Sequence, residues 1–321
     1  MTRVFVAGAT GAVGKRLVPQ LVESGHEVIA MTRSEAKAET LRKRGVETAV
    51  ADGLDREAVI DAVAAAMPEI VVHEMTALAG VTNIRNFDRQ FALTNRLRTE
   101  GTDHLLAAAK AVGARRFVAQ SFGNWYERSG RWTKTEEDPM EPDPPAHQRR
   151  SLAAIRRLEE TVLGADGIEG VVLRYAALYG PGTDLSLDGK LAAMVRKRRF
   201  PVIGDGAGVW SFIHIDDAAA ATVAALELGA AGIYNIADDD PAPVSEWLPD
   251  LARALGAKPP RHMPLWLGRL VAGEVVASMF TENRGAANGK AKRGLGWTLL
   301  YPTWREGFRT GLADRSSAPG A

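Results

Sequence analysis

The chain has 321 residues, enough for one large α/β domain or for two unequal lobes that share a core. A net charge of +1 offers no basic surface for nucleic acid or for an anionic membrane, and the absence of cysteine removes disulfides, thiolate metal sites and cysteine nucleophiles together. No apolar run approaches the roughly eighteen residues of a membrane span, so a cytoplasmic setting is expected.

The first run, Arg3 to Ala7, is short, β-branched and apolar, as in a strand buried on both faces. Glycines then fall at Gly8, Gly11 and Gly14, just where a helical period begins, with Thr10, Ala12 and Val13 between them. Gly8 permits a tight turn, Gly11 lets backbone approach a pyrophosphate, and Gly14 lets the helix pack close to the strand. A phosphate at that helix start would meet unpaired N–H groups and the positive end of the helix dipole. The second strand, Glu27 to Met31, is followed by Thr32 and Arg33. A carboxylate here would grip the ribose 2′-hydroxyl of NAD; an arginine grips a 2′-phosphate instead, which favours NADP over NAD.

The spacing GxxGxxG resembles the extended short-chain dehydrogenase/reductase superfamily, in its epimerase/dehydratase branch, and the likeness recurs to about residue 308. It implies a doubly wound parallel sheet of Rossmann type. After the third strand, Glu47 to Ala51, it places Asp52 on adenine, with Gly53 and Leu54 beside it, while Asp55 is suited to cap the next helix. After the fourth strand, Glu69 to His73, it lays Met75, Thr76 and Ala77 along the cofactor, and it leaves His73 a structural role. Within LRYxxxYGPG, Tyr175 takes the place that packs against the nicotinamide, and Tyr179 is structural.

The chain departs from that pattern at three places. Arg98 in the helix Phe87 to Val112 replaces an asparagine. At the end of the fifth strand, Arg116 to Gln120, Ser121 matches a hydroxyl that orients the reacting oxygen, but Phe122 follows where the family has a second one. On the helix Arg149 to Val162, the positions for the Tyr-x-x-x-Lys pair fall in 149–152 and 153–156, and no register supplies a tyrosine or a lysine. The candidate catalytic set is therefore Ser121, Tyr126 as the acid, and Arg156 as a cation that lowers the phenol pKa. The loop 123–148, rich in charge, proline and aromatic residues, is long enough to line a substrate.

The expected plan is a dinucleotide-binding domain over 1–175, with 209–236 partly returning to it. Residues 176–208 and 237–311 form a smaller C-terminal substrate domain, and 312–321 a disordered tail. Asp216 or Asp217 is expected to cap the alanine-rich helix to Leu228, and the apolar stretch 264–280 to be core or an oligomer face. The expected function is an NADP-binding oxidoreductase or epimerase acting on a small, rather apolar carbonyl or alcohol. Its partner is a small-molecule substrate, with neither nucleic acid, membrane nor metal, and a homodimer is the assembly left open. Two alternatives stand beside it: a non-redox lyase, isomerase or cyclase, and an NmrA-like sensor of nucleotides without catalysis.

Overall fold

In a computed structural model, which describes residues 1–78 and 84–314, seven strands form one parallel sheet. They are β1 (Arg3–Ala7), β2 (Glu27–Thr32), β3 (Glu47–Val50), β4 (Ile70–His73), β5 (Arg116–Phe122), β6 (Glu169–Tyr175) and β7 (Gly232–Ile236). The order is β7-β6-β5-β4-β1-β2-β3, with pairings such as Val4 to Val28 and Val4 to Ile70. Successive side chains of β1 leave opposite faces: Val4 and Val6 enter one apolar layer, Phe5 and Ala7 the other. Helices α1 (Gly14–Glu23) and α6 (Ile215–Glu227) cover the first layer. Helices α2 (Glu35–Arg42), α3 (Arg56–Ala66), α4 (Thr102–Ala111) and α5 (Arg149–Leu163) also flank the sheet. Strand order reverses between β1 and β4, and ligands of such sheets bind in the crevice outside the carboxyl ends at that point.

The single helix read over Phe87 to Val112 is broken into pieces. Helical segments Phe87–Gln90 and Ala92–Arg96 lead through a π-helical turn, Leu97–Gly101, into α4. The smaller lobe packs Trp247, Trp304, Phe212, Phe280 and Tyr179 into a core of its own. Its stretch 264–280 is two short helices, α8 (Leu265–Ala272) and α9 (Glu274–Thr281), which follow α7 (Val244–Ala254). They part at Gly273, whose φ of +90° suits glycine. Helix α9 is buried through Val275, Val276, Ala277 and Phe280, whereas α8 leaves Trp266, Leu270 and Val271 exposed.

Two sequence expectations are corrected here. Neither Asp216 nor Asp217 caps α6: the His214 ring accepts from Asp216 N at 3.2 Å. Asp217 instead accepts from Leu300 N at 2.6 Å and Tyr301 N at 3.0 Å, tying the C-terminal segment to α6. The tail does not begin at 312, because Leu312 is buried with Trp304 and Phe308 and its carbonyl accepts from Leu187 N at 2.8 Å. Asp314 pairs with Arg16, and the rest of the expected tail, 315–321, lies outside the described residues. Among the described residues no helix is long and apolar enough to cross a membrane.

Candidate active site

The crevice between β1 and β4 is built by close backbone contact. A Cβ on Gly8, which has φ +96°, would stand 2.5 Å from the Glu74 carbonyl oxygen, and one on Gly14 would stand 2.4 Å from the Gly8 carbonyl oxygen. Glycine is therefore required at both positions. Gly11 N donates to Gly8 O at 2.9 Å, and Gly11 and Ala12 are exposed at the start of α1. Val13 is buried, so its side chain belongs to the core and leaves only backbone to the turn. The Thr10 and Thr32 hydroxyls lie 3.3 Å apart, and Arg33 projects beyond β2, exposed and engaged by no described residue.

Asp52 accepts from Leu54 N at 3.0 Å, and Asp55 caps α3 by accepting from Ala58 N at 3.1 Å. Met75 fills the space that a side chain at Gly53 would need, its sulfur lying 2.3 Å from an ideal Cβ there. Ala77 N donates to Thr94 Oγ1 at 3.0 Å, and Thr76 is half-buried beside it. His73 is structural: its Nε2 lies 3.1 Å from Thr102 Oγ1, and burial lowers its pKa to about 4. A helix start with exposed backbone, a cradle that Cβ atoms would fill and an unengaged guanidinium fit a dinucleotide.

Tyr175 does not stand open to this crevice. It is 1% exposed, donates to Glu74 Oε1 at 2.8 Å and also meets Thr222 Oγ1. Glu74 is itself buried, which pushes its pKa up to about 8.

The three catalytic candidates are likewise committed to other partners. Ser121 Oγ donates to Glu159 Oε1 at 2.6 Å, and Glu159 holds Arg174 through bonds of 2.9 Å and 2.6 Å. Arg174 Nη1 donates to the Tyr126 hydroxyl at 3.0 Å, and that hydroxyl donates to Asn235 Oδ1 at 2.6 Å. The result is a buried brace across β5, α5, β6, β7 and the loop after β5. Tyr126 is 3% exposed, and its burial raises the phenol pKa while Arg174 partly offsets that rise. The cation at the phenol is thus Arg174. Arg156 bonds to the Glu141 carbonyl instead.

Residues Glu159, Arg174 and Asn235 were missed by the sequence reading. One signal was available: an arginine inside the apolar strand Gly170 to Tyr175 demands a buried partner.

A one-residue step at the end of β5 decides the character of the cleft beside the crevice. Ser121 turns to Glu159, so Phe122 turns the other way and meets the Trp125 ring edge-on, with centroids 5.6 Å apart. Within the windows left open on α5, the pair four apart that is buried at both positions is Ser151 and Ile155. Ser151 donates to Asp88 Oδ1 at 2.7 Å and accepts from Asn95 Nδ2 at 3.0 Å. Ile155 joins Phe87, Trp125, Leu152 and Val275 in an apolar cluster, with Phe91, Phe122, Met140 and Met279 against it. The loop 123–148 and the smaller lobe close a small cleft on this cluster, lined by Asn124, Trp125, Tyr126, Arg128, Gln148, Leu152, Met279 and Asn283 among others. Glu141 also lines it, but its two oxygens accept from Arg128 N at 3.2 Å and Asp143 N at 3.1 Å.

The profile of the NAD dependent epimerase/dehydratase family matches residues 4–237. A protein of Streptomyces named 3-diazoavenalumate denitrifying reductase is 45% identical over 307 residues, covering 95% of this chain and 99% of its own. The 2-alkyl-3-oxoalkanoate reductase of Stenotrophomonas maltophilia is 31% identical over 266 residues, covering 79% of this chain and 76% of its own. Among solved structures, UDP-glucose 4-epimerase of Thermotoga maritima superposes with a TM-score of 0.74 at 24% identity, covering 97% of each chain. That of Thermus thermophilus, in complex with NAD, gives 0.72 at 24% identity and the same coverage. At such identities the structural likeness concerns the fold.

Proposed function

The chain belongs to the NAD-dependent epimerase/dehydratase family, and we propose that it is an NADPH-dependent reductase whose substrate is an aryl compound that accepts hydride without a proton from the protein, an arenediazonium above all. The observation behind this reading is the commitment of the nearby hydroxyls to buried partners, beside an apolar cluster. Phe122, Trp125, Leu152 and Ile155 pack in the apolar cluster against the cleft, and the hydroxyls of Ser121, Tyr126 and Ser151 are all engaged in buried hydrogen bonds. Reduction of a ketone builds negative charge on oxygen and calls for a general acid within hydrogen-bond reach. A diazonium calls for none, because Ar–N₂⁺ and H⁻ give Ar–H and N₂ with atoms and charge balanced.

The relative that is 45% identical over 95% of this chain is named for a denitrifying reduction of a diazo acid, which supports the same chemistry. Aromatic side chains suit both parts of such a substrate, stacking on its ring and favouring its cationic head. The exposed backbone of Gly11 and Ala12, with Asp52 and Thr76, would hold the dinucleotide, and Arg33 would grip a 2′-phosphate. The bound nicotinamide would supply the hydride.

The test is anaerobic mixing of the protein with NADPH and either a benzenediazonium carboxylate or the matching aryl ketone. Expected are loss of nicotinamide absorbance and release of one dinitrogen per nucleotide oxidised with the first, and neither with the second. Turnover of the ketone without dinitrogen release from the diazonium compound would overturn the reading.

A further inference from the structure

Two stretches far apart in the sequence, 194–203 and 257–272, are joined in the smaller lobe. Arg198 Nε donates to the Pro259 carbonyl at 3.0 Å and Val202 N to that of Arg261 at 2.9 Å, and Val202–Ile203 pairs in parallel with His262–Met263. Helix α8 packs on this pair: a Cβ on Gly268 would stand 2.3 Å from Ile203 Cγ2, so that side of the helix faces inward. At about 100° per residue, Trp266 and Leu270, each two residues from Gly268, fall on the opposite side. Trp266 is 68% exposed, Leu270 64% and Val271 56%.

The two stretches carry Arg196, Lys197, Arg198, Arg199, Lys258, Arg261 and Arg269, and not one Asp or Glu. The chain as a whole is balanced, with 40 Lys and Arg against 39 Asp and Glu, so the net charge does not register this concentration; only the folded lobe assembles it. All of these cations except the half-buried Arg198 are exposed. Arg269 is paired with Glu274 at 3.1 Å, whereas Arg196 and Arg198 bond to the carbonyls of Leu187 and Pro259, which leave their charges uncompensated.

Such a face calls for a partner that is anionic at its surface and apolar beneath. A second copy of this chain does not suit it, because a twofold pair would set the same cations against each other. Nucleic acid would engage the cations but offer the apolar side chains no interior. A bilayer containing anionic lipid meets both needs: its headgroups attract the cations, and indole and aliphatic groups enter the interface. Helix α8 has 8 residues, far too few to span a bilayer, and so would lie in the interface. We propose that this face docks the protein on an anionic membrane surface, with Trp266, Leu270 and Val271 among the headgroups and the cations around them. The proposal depends neither on the dinucleotide nor on the substrate.

The experiment sediments the full-length protein with vesicles of phosphatidylcholine alone and of equal parts phosphatidylcholine and phosphatidylglycerol, at low and at physiological salt, while tryptophan emission is recorded. R199E/R261E and W266S/L270S are treated alike, and their melting midpoints are measured alongside. Expected are binding to the anionic vesicles only, weaker as salt rises, and a blue shift of emission that W266S/L270S lacks. Each cation near a charged surface is worth about fivefold in affinity, so R199E/R261E should lose about 25-fold or more. W266S/L270S should lose about tenfold or more through the apolar area no longer inserted. Midpoints should hardly move, since the substituted side chains are exposed. Binding that is absent, equal on both kinds of vesicle, or retained by both double variants overturns the proposal. So does duplex DNA that binds the unaltered protein and W266S/L270S alike in place of vesicles, and so does a dimer that W266S/L270S dissolves.

Discussion

Tyr126→Phe separates a structural phenol from a catalytic one. The substitution keeps the ring and removes one oxygen, which donates to Asn235 Oδ1 at 2.6 Å and accepts from Arg174 Nη1 at 3.0 Å. One acceptor and one N–H are then left without a partner in a buried region, while the bonds between Arg174 and Glu159 persist. Each orphaned group costs about 1–3 kcal/mol, and the two together about 2–4 kcal/mol once relaxation is allowed. In domains of about 150–250 residues 1 kcal/mol moves the melting midpoint by about 2–4 °C, so a fall of about 4–16 °C is expected. Turnover of a diazonium substrate, measured well below that midpoint, should stay within about threefold, whereas loss of a general acid costs about 10²- to 10⁴-fold. An unchanged midpoint combined with a rate loss of that size would refute the structural reading and restore Tyr126 as the acid.

Arg33→Ala should weaken NADPH about tenfold and leave NADH nearly unchanged, since a charge-assisted contact to the 2′-phosphate is lost and no described residue engages that side chain; equal losses in parallel titrations would refute the assignment. Burial holds the Glu74 pKa at about 8 against an ordinary value of 4.5, so between those limits the folded chain keeps a proton that the unfolded chain has lost. Stability must therefore fall as pH rises through that window, by up to about 1.4 kcal/mol per pH unit, and become level above it. Glu74→Gln is neutral at every pH and should remove this slope. The stability difference between the two proteins should grow from about pH 5 to about pH 8, and a difference that does not vary with pH would dispose of the buried neutral carboxyl.

The strand, glycine turn and helix that open the chain were legible because their determinants are local. An apolar β-branched run, glycines at positions 8, 11 and 14, and an amphipathic continuation specify strand, turn and helix within twenty-three residues, and the backbone contacts at Gly8 and Gly14 agree with the roles assigned to them. The lack of a tyrosine and a lysine on α5 needed no structure either, since it is a matter of inventory. What the folded chain alone decided was direction and partnership. Ser121 and Phe122 are neighbours, and which of them faces the cleft depends on the phase of β5 at its last residues. Tyr126 is bound to Asn235, Ser121 to Glu159, and Asp217 to Leu300, each across a long stretch of sequence. A polar side chain is committed by whatever packing brings within about 3 Å of it, and that distance is set by the stacking of strands and helices rather than by local propensity.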